Sequence, residues 1–428
     1  MKRTLFAGLL MLAGTFSFGQ KKAEKLLTAA EAGRIEAVLA ADEMRGRRVF
    51  SPEIDRAAEF IIEEFRKAGL ETWNGSGSYR QDFAIVRPRL VSASAVLDGM
   101  PLDGQRVLVI TCQPEFKLTP AAGFEKTWIK AGANLLNEAR NYARSQKNLL
   151  VFVDPSFSGS FSNLTRLRNS FFKTDKSVVF ILTGSEPADY LIEATHTFTE
   201  QALANVVAVL PGKSRKNEYV IFSGHYDHIG VGKPVDGDSI YNGANDDAAG
   251  TTAVIMLARY FKALNNNERT LVFATFTAEE SGGFGSQYFS RQFDPAQVVA
   301  MFNIEMIGTE SKWGGRSAYI TGYEKTDMGA IMQKNLEGTG FTFYPDPYTT
   351  QNLFYRSDNA TLARLGVPAH TISTSKMDNE PNYHKVSDEI STLDLENMAL
   401  IVRSIALSAR SIIAGKDTPS RVKTEDLR

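Results

Sequence analysis

The sequence predicts an α/β protein: a three-layer α/β/α main domain around a mixed, mostly parallel sheet, with an inserted β-rich domain. Three observations lead there. From Asn205 to about residue 414, β-branched and aromatic runs alternate with amphipathic helical stretches, the pattern of a sheet covered by helices. From about Val91 to Ala204 the texture changes to short β-like runs, "RVLVIT", "NLLVFV" and "SVVFILT", separated by Gly, Pro and Ser. The titratable residues that could do chemistry collect where strands of the first region end, which is where α/β folds place their ligands.

Residues 1–19 open with Lys2-Arg3, continue through an unbroken apolar run and reach small residues at Ser17 and Gly19. That order predicts a signal peptide, too short and wrongly flanked for stable membrane insertion, and hence a periplasmic or extracellular protein. Residues 20–90 are expected to form a helical lead-in packed on the main domain. In it, "SPEIDRAAEFIIEEFRKAGLE" has Ser51 to cap, Pro52 at the first helical position and Gly69 past the end. Ile54, Ala57, Ala58, Ile61, Ile62 and Phe65 fall on one face at helical spacing. Residues 91–204 read as the insert. Its His196, among threonines, is expected at the surface, and Cys112, the one cysteine, is expected buried in a strand without a disulfide partner. Residues 205–414 form the main domain, and 415–428 a polar tail. With 48 Lys+Arg against 49 Asp+Glu, no charge excess points to nucleic acid or an anionic membrane.

The main domain carries the chemistry. "NEYVIFSGHYDHIG" is a strand ending at Gly224 and followed at once by His225 and Asp227. A His-x-Asp pair there suits a metal site, the imidazole ligating and a carboxylate fixing its tautomer; His228 reads as a structural histidine. "YNGANDDAAGTTAVIMLARYF" leads Asn245, Asp246 and Asp247 into a helix, where acids are often only capping groups. "RTLVFATFT" reads as a buried strand that delivers Glu279 and Glu280. Adjacent acids default to a solvated turn, but neighbouring side chains leave extended backbone in opposite directions, so two acids at a strand end are free to do two jobs. "VVAMFNIEMIG" is apolar on nearly all sides and holds one acid, Glu305, whose burial costs several kcal/mol unless it is paired or metal-bound. Tyr383 and His384 lie in the polar "NEPNYHKVSDEI". Two nitrogen and three carboxylate donors, His225, Asp246, Glu280, Glu305 and His384, match Zn²⁺ foremost.

The order "GHYDH … GANDDAAG … TAEESGGFGS … NIEMIG … YH" resembles the co-catalytic zinc aminopeptidases of the family that includes bacterial leucyl aminopeptidase, aminopeptidase S and glutamate carboxypeptidase II. The insert loosely resembles the protease-associated domain of many members. The resemblance implies two Zn²⁺, with His225 and Glu305 on one, Glu280 and His384 on the other, and Asp246 bridging. It implies Asp227 as the group orienting His225, Glu279 as general base and Tyr383 as an oxyanion donor. "FYRSDNATLARLGVP" resembles a segment lining the substrate site, which brings in Arg356 and Asp358. At the "NIEMIG" position the family usually has Asp, and Glu305 is longer by a bond of about 1.5 Å. The expected activity is aminopeptidase action on peptide substrates. A carboxypeptidase or glutaminyl cyclase-like activity, and a non-catalytic binding protein, are the alternatives.

Overall fold

The computed structural model describes residues 23–427; the expected signal peptide lies outside them. The chain divides into two compact units, one made of the residues up to Asp82 with those from Leu203 onward, the other of Phe83–Ala202. The second unit overlaps the stretch 91–204 expected as an insert. Among the described residues no helix is long and apolar enough to cross a membrane.

The first unit is built on a sheet of strands β1 (Tyr190–Leu210, of which the residues from Leu203 belong here), β2 (Arg215–His225), β3 (Arg269–Phe276), β4 (Val298–Ile304), β5 (Ser317–Ile320), β6 (Thr342–Pro345) and β7 (Ala369–Ser373). Their spatial order is β6-β5-β7-β4-β2-β3-β1. The central pairs β7–β4, β4–β2 and β2–β3 are parallel, as is β6–β5. β1 and β5 join antiparallel. The chain steps from β2 to β3 on one side, then to β4 on the other, so their carboxyl ends diverge around a crevice of the kind that takes ligands.

Alternation along each strand makes the layers. Val206, Ala208, Val220, Phe222, Leu271, Phe273, Ala300 and Phe302 point to one face. There they meet helices α1 (Ala29–Leu39), α2 (Pro52–Ala68), α3 (Ala249–Leu264), α5 (Met328–Asn335) and α7 (Leu395–Ser408). Val207, Ile221, Val272, Ala274 and Met301 point the other way, to a smaller core shared with α4 (Phe284–Ser290) and α6 (Asn359–Ala363). Period-2 strands buried on both faces therefore read as continuous apolar runs. Phe222 centres the larger core, its ring stacked on Phe261, Phe273 and Phe302 at 5.0–5.8 Å.

Helix α2 buries Ile54, Ala57, Ala58, Ile61, Ile62 and Phe65, the face its spacing predicts, and stops at Gly69 in the left-handed region. Its Ser51 does not cap the helix; the hydroxyl donates instead to the Arg48 carbonyl at 2.7 Å. Pro52 already removes one unpaired N–H there, so the missing cap costs little.

The second unit carries a four-stranded sheet in the order Val107–Ile110, Val178–Leu182, Leu149–Val153, Glu125–Ile129. Helix Leu135–Ala143 packs on one face through Leu135 and Ala139. Two expectations fail in this unit. His196 is buried rather than exposed, because alternation along its strand turns the ring inward; both ring nitrogens lack hydrogen-bond partners. Cys112 lies two residues past the end of Val107–Ile110 and is half-buried.

Gly250, in the first turn of α3, allows the helix to approach β4. A Cβ at this position would run into the Ile304 carbonyl and the Asp247 carboxylate. Gly250→Ala should therefore lower stability by about 1–3 kcal/mol, despite the better helix propensity of Ala. Urea unfolding measures it, and a stabilised variant would show that the approach is not close.

Candidate metal centre

Three strands deliver donors at one edge of the sheet. β2 ends in His225, β3 runs through Thr277 and Ala278 to Glu279 and Glu280, and β4 is followed at once by Glu305. Asp246 comes from the short turn Ala244–Ala248 ahead of α3, and His384 from the loop before α7. Ala278, Met306 and His384 all hold positive φ, 57°, 53° and 56°. A non-glycine residue there is strained by roughly 1–3 kcal/mol, which the structure sustains where it must turn a donor inward.

The expected donors converge. His225 Nε2 lies 3.3 Å from Asp246 Oδ1. His384 Nε2 lies 3.2 Å from both Asp246 Oδ2 and Glu280 Oε1. Asp246 thus turns one oxygen to each histidine, the placement of a bridging carboxylate. His225, Asp246 and Glu305 offer donor atoms all within 4.8 Å of one another, so the longer Glu305 reaches the cluster. His225 Nε2 and Glu280 Oε1 are buried without hydrogen-bond partners. Orphaned donors facing carboxylates are what a divalent cation would satisfy, and the residues present fit zinc.

The groups holding these donors in place were harder to foresee. Asp227 meets His225 most closely through its backbone carbonyl, 3.0 Å from Nδ1, with Oδ1 3.9 Å from the same nitrogen and also accepting from the Glu279 N–H at 3.0 Å. Asp247 gathers three backbone donors, those of His225 (3.0 Å), Gly250 (2.9 Å) and Met306 (3.1 Å). Asp388 accepts from the N–H groups of Asn245 and Asp246 at 2.8 and 3.0 Å. Arg47, fully buried, donates to the carbonyls of Leu39, Tyr226, Asn242 and Gly243 at 2.5–2.9 Å. It ties the segment after His225 to the segment before Asp246. His228, read from sequence as structural, puts Nδ1 2.9 Å from Glu280 Oε1.

Crowded carboxylates disturb one another's protons. Burial raises Asp227 and Glu305 to about 7 and Asp388 to about 6. Glu279 is pushed well above the usual range by burial and by Glu305, Asp358 and Glu280. Burial works the same way on Glu280, but the imidazoles of His228 and His384 outweigh it and hold that carboxyl down at about 2. His384, although half-buried, is raised to about 10 by Asp246 and Glu280. Beneath the site, burial lifts Glu36 to about 8.

An open cleft is lined by Asp246, Glu279, Glu280, Glu305, Tyr383 and His384. The Tyr383 and His384 rings stack at 3.9 Å. Arg356 lines the cleft and is exposed. Asp358, expected beside it, is instead fully buried and outside the lining, because it opens α6 and turns inward.

A parallel-centred sheet with a histidine and carboxylate cluster at its carboxyl edge defines a metallohydrolase. Residues 205–409 match peptidase family M28. Leucine aminopeptidase 1 of Ajellomyces dermatitidis is 26% identical over 334 residues, covering 70% of this chain and 80% of its own. Among solved structures, the aminopeptidase from Aneurinibacillus sp. strain AM-1 aligns over 96% of this chain and 98% of its own, with TM-score 0.53 and 18% identity. The zinc aminopeptidase of Bacillus subtilis aligns over 94% and 99%, with TM-score 0.54 and 16% identity. The domain at residues 205–409 is a family M28 peptidase domain, and the chain is a zinc metallopeptidase.

The proton load gives a test in the metal-free protein. Asp227, Glu305, Asp388 and Glu36 keep protons in the fold at pH values where the unfolded chain, titrating near 3.8–4.5, has lost them. The folded state thus binds more protons, and stability falls as pH rises from about 4.5 to 8. His384 adds to this, its contribution full below 6.5 and lost through about 10. The melting temperature of chelated protein should drop across this window and that of zinc-loaded protein should drop less. A metal-free midpoint rising from pH 5 to 8 would refute it.

Proposed function

We propose that the protein is an exported zinc exopeptidase that removes N-terminal residues from peptides. The observation that carries the reading is the convergence of His225, Asp246, Glu280, Glu305 and His384 beside a cleft that Glu279 also lines, in a chain whose relatives are named leucine aminopeptidases. The basic, apolar N-terminal stretch supports export.

His225 and Glu305 would hold one zinc ion, Glu280 and His384 a second, with Asp246 between them. Zinc bound there supplies Lewis acidity to the scissile carbonyl and acidity to an attacking water. Glu279 accepts the proton of that water and delivers it to the leaving amine. Its raised affinity for protons, set by burial and neighbouring carboxylates, moves it toward the range where a general base works at neutral pH. The Tyr383 hydroxyl, kept protonated by burial and by Asp246 and Glu305, donates to the carbonyl oxygen as negative charge grows on it. Glu305 also faces the substrate's amine.

Arg356 favours one alternative, a carboxypeptidase in which the guanidinium anchors a terminal carboxylate. Peptides acetylated at the amino end and peptides amidated at the carboxyl end separate the two readings. Acetylation should abolish cleavage and amidation should leave it; the reverse result would establish the carboxypeptidase.

Glu279→Gln should retain its zinc and its fold and lose about 10²–10⁴-fold in turnover. Metal analysis beside kcat measures this, and near-normal turnover in a fully loaded variant would remove Glu279 from the role of base.

A further inference from the structure

The chain contains histidines in three different states, and the contrast singles out His228. His370 is what a structural histidine looks like: buried, with Nδ1 2.8 Å from the Thr321 carbonyl and Nε2 2.8 Å from the Thr326 hydroxyl. His196 is buried with both nitrogens unpartnered, and it has no place in any cluster of donor groups among the described residues. His228 shares the unpartnered nitrogens of His196, but it faces carboxylates.

Its Nδ1 lies 2.9 Å from Glu280 Oε1 and 4.0 Å from Asp246 Oδ2, and the three residues present donors within 4.8 Å of one another. Despite the 2.9 Å separation, neither His228 Nδ1 nor Glu280 Oε1 makes a hydrogen bond, because the ring nitrogen does not aim at the oxygen. Two buried donors side by side, each pointing past the other, have the arrangement of ligands that share a cation rather than of a hydrogen-bonded pair. The ring is also held where it is. A Cβ at residue 243 would come within 2.5 Å of its Cγ and Cδ2, so Gly243, at φ +60°, leaves the slot the imidazole fills. His384, the other nitrogen donor to Glu280 and Asp246, sits edge-on to it with ring centroids 5.8 Å apart.

We propose that His228 is a direct ligand of the second zinc ion, through Nδ1. This rests on the zinc reading above and extends its ligand set. The two ions then differ in kind. The ion at His225 and Glu305 has one imidazole and two carboxylates, whereas the ion at Glu280 has His228, His384, Glu280 and Asp246. Zinc favours nitrogen donors, and four protein ligands still leave room for a fifth. The second ion is therefore the tighter one, the last to leave when metal is withdrawn.

The experiment uses the full-length protein loaded with ¹¹³Cd²⁺ and labelled with ¹⁵N-histidine, together with zinc competition against a chelator for wild type, His228→Ala and His228→Gln. Scalar coupling between cadmium and His228 Nδ1 is expected. His228→Ala should weaken the tighter zinc by more than the roughly 10–100-fold that loss of an outer partner costs, and His228→Gln, which keeps a hydrogen-bonding group beside Glu280, should not restore it. Two bound cadmium ions without coupling to His228, or full rescue by Gln, would overturn the proposal while leaving the metallopeptidase reading intact. A wild-type protein that binds neither cadmium nor zinc would overturn both. Should the Ala variant fail to fold, the coupling measurement on wild type decides alone.

Discussion

Carboxylates withdrawn from water impose the constraint on which the rest of the first unit depends. Asp227, Asp246 and Asp247 are buried at the carboxyl edge of the sheet, and Asp246 lines the cleft together with Glu279, Glu280 and Glu305. Each buried charge costs several kcal/mol unless it is matched. The fold meets that cost in two ways. Asp247, Asp388 and Asp227 are bound by backbone N–H groups, and in accepting them they pin the loops together. Asp246 and Glu280 instead face imidazoles and each other. The first set builds the frame, and the second is left open for a cation.

That division explains why acids occur in adjacent pairs. In Asp246-Asp247 and Glu279-Glu280, one residue of each pair serves a different master from its neighbour. Asp247 turns into the protein to receive three N–H groups while Asp246 turns out to the histidines. Both glutamates line the cleft, and of the two it is Glu280 that meets His228 and His384. Residues next to each other in extended or turning backbone diverge, which gives the two acids of a pair different partners without removing their repulsion: on top of burial, Glu280 still raises Glu279, and Asp246 raises Asp247.

Much of this was legible in the sequence, for identifiable reasons. Helix α2 and strands β2, β3 and β4 have long apolar patterns whose period fixes both type and buried face. Of the five donors, His225, Glu280 and Glu305 stand out because they interrupt such patterns or closely follow them with residues that are costly there, whereas Asp246, ahead of a helix, and His384, in a polar loop, carry weight only as members of the ordered set. What escaped was whatever acts through the backbone. Arg47, Asp247 and Asp388 bind carbonyls and N–H groups, which every residue possesses, so no partner side chain announces them. His228 was hidden by proximity: beside His225 and Asp227 it read as packing, and only its unpartnered nitrogens set it apart. The outward reading of His196 and the strand placement of Cys112 failed because strand register is fixed by neighbours distant in sequence. Asp358 failed because a helix start can turn a side chain inward as easily as out.

Arg47 also bears on how the molecule comes to exist. Its guanidinium meets Tyr226, Asn242 and Gly243, which follow it by 179, 195 and 196 residues, with the whole of the Phe83–Ala202 unit in between. A growing chain presents this arginine long before the carbonyls it must reach, and closing so large a loop is entropically the late part of folding. The candidate metal centre is thus braced by a residue synthesised early and by contacts that span 179 to 196 residues of chain. A fragment trimmed to the matched span of 205–409 would keep every candidate metal donor and still lack the residue that holds two of their loops together.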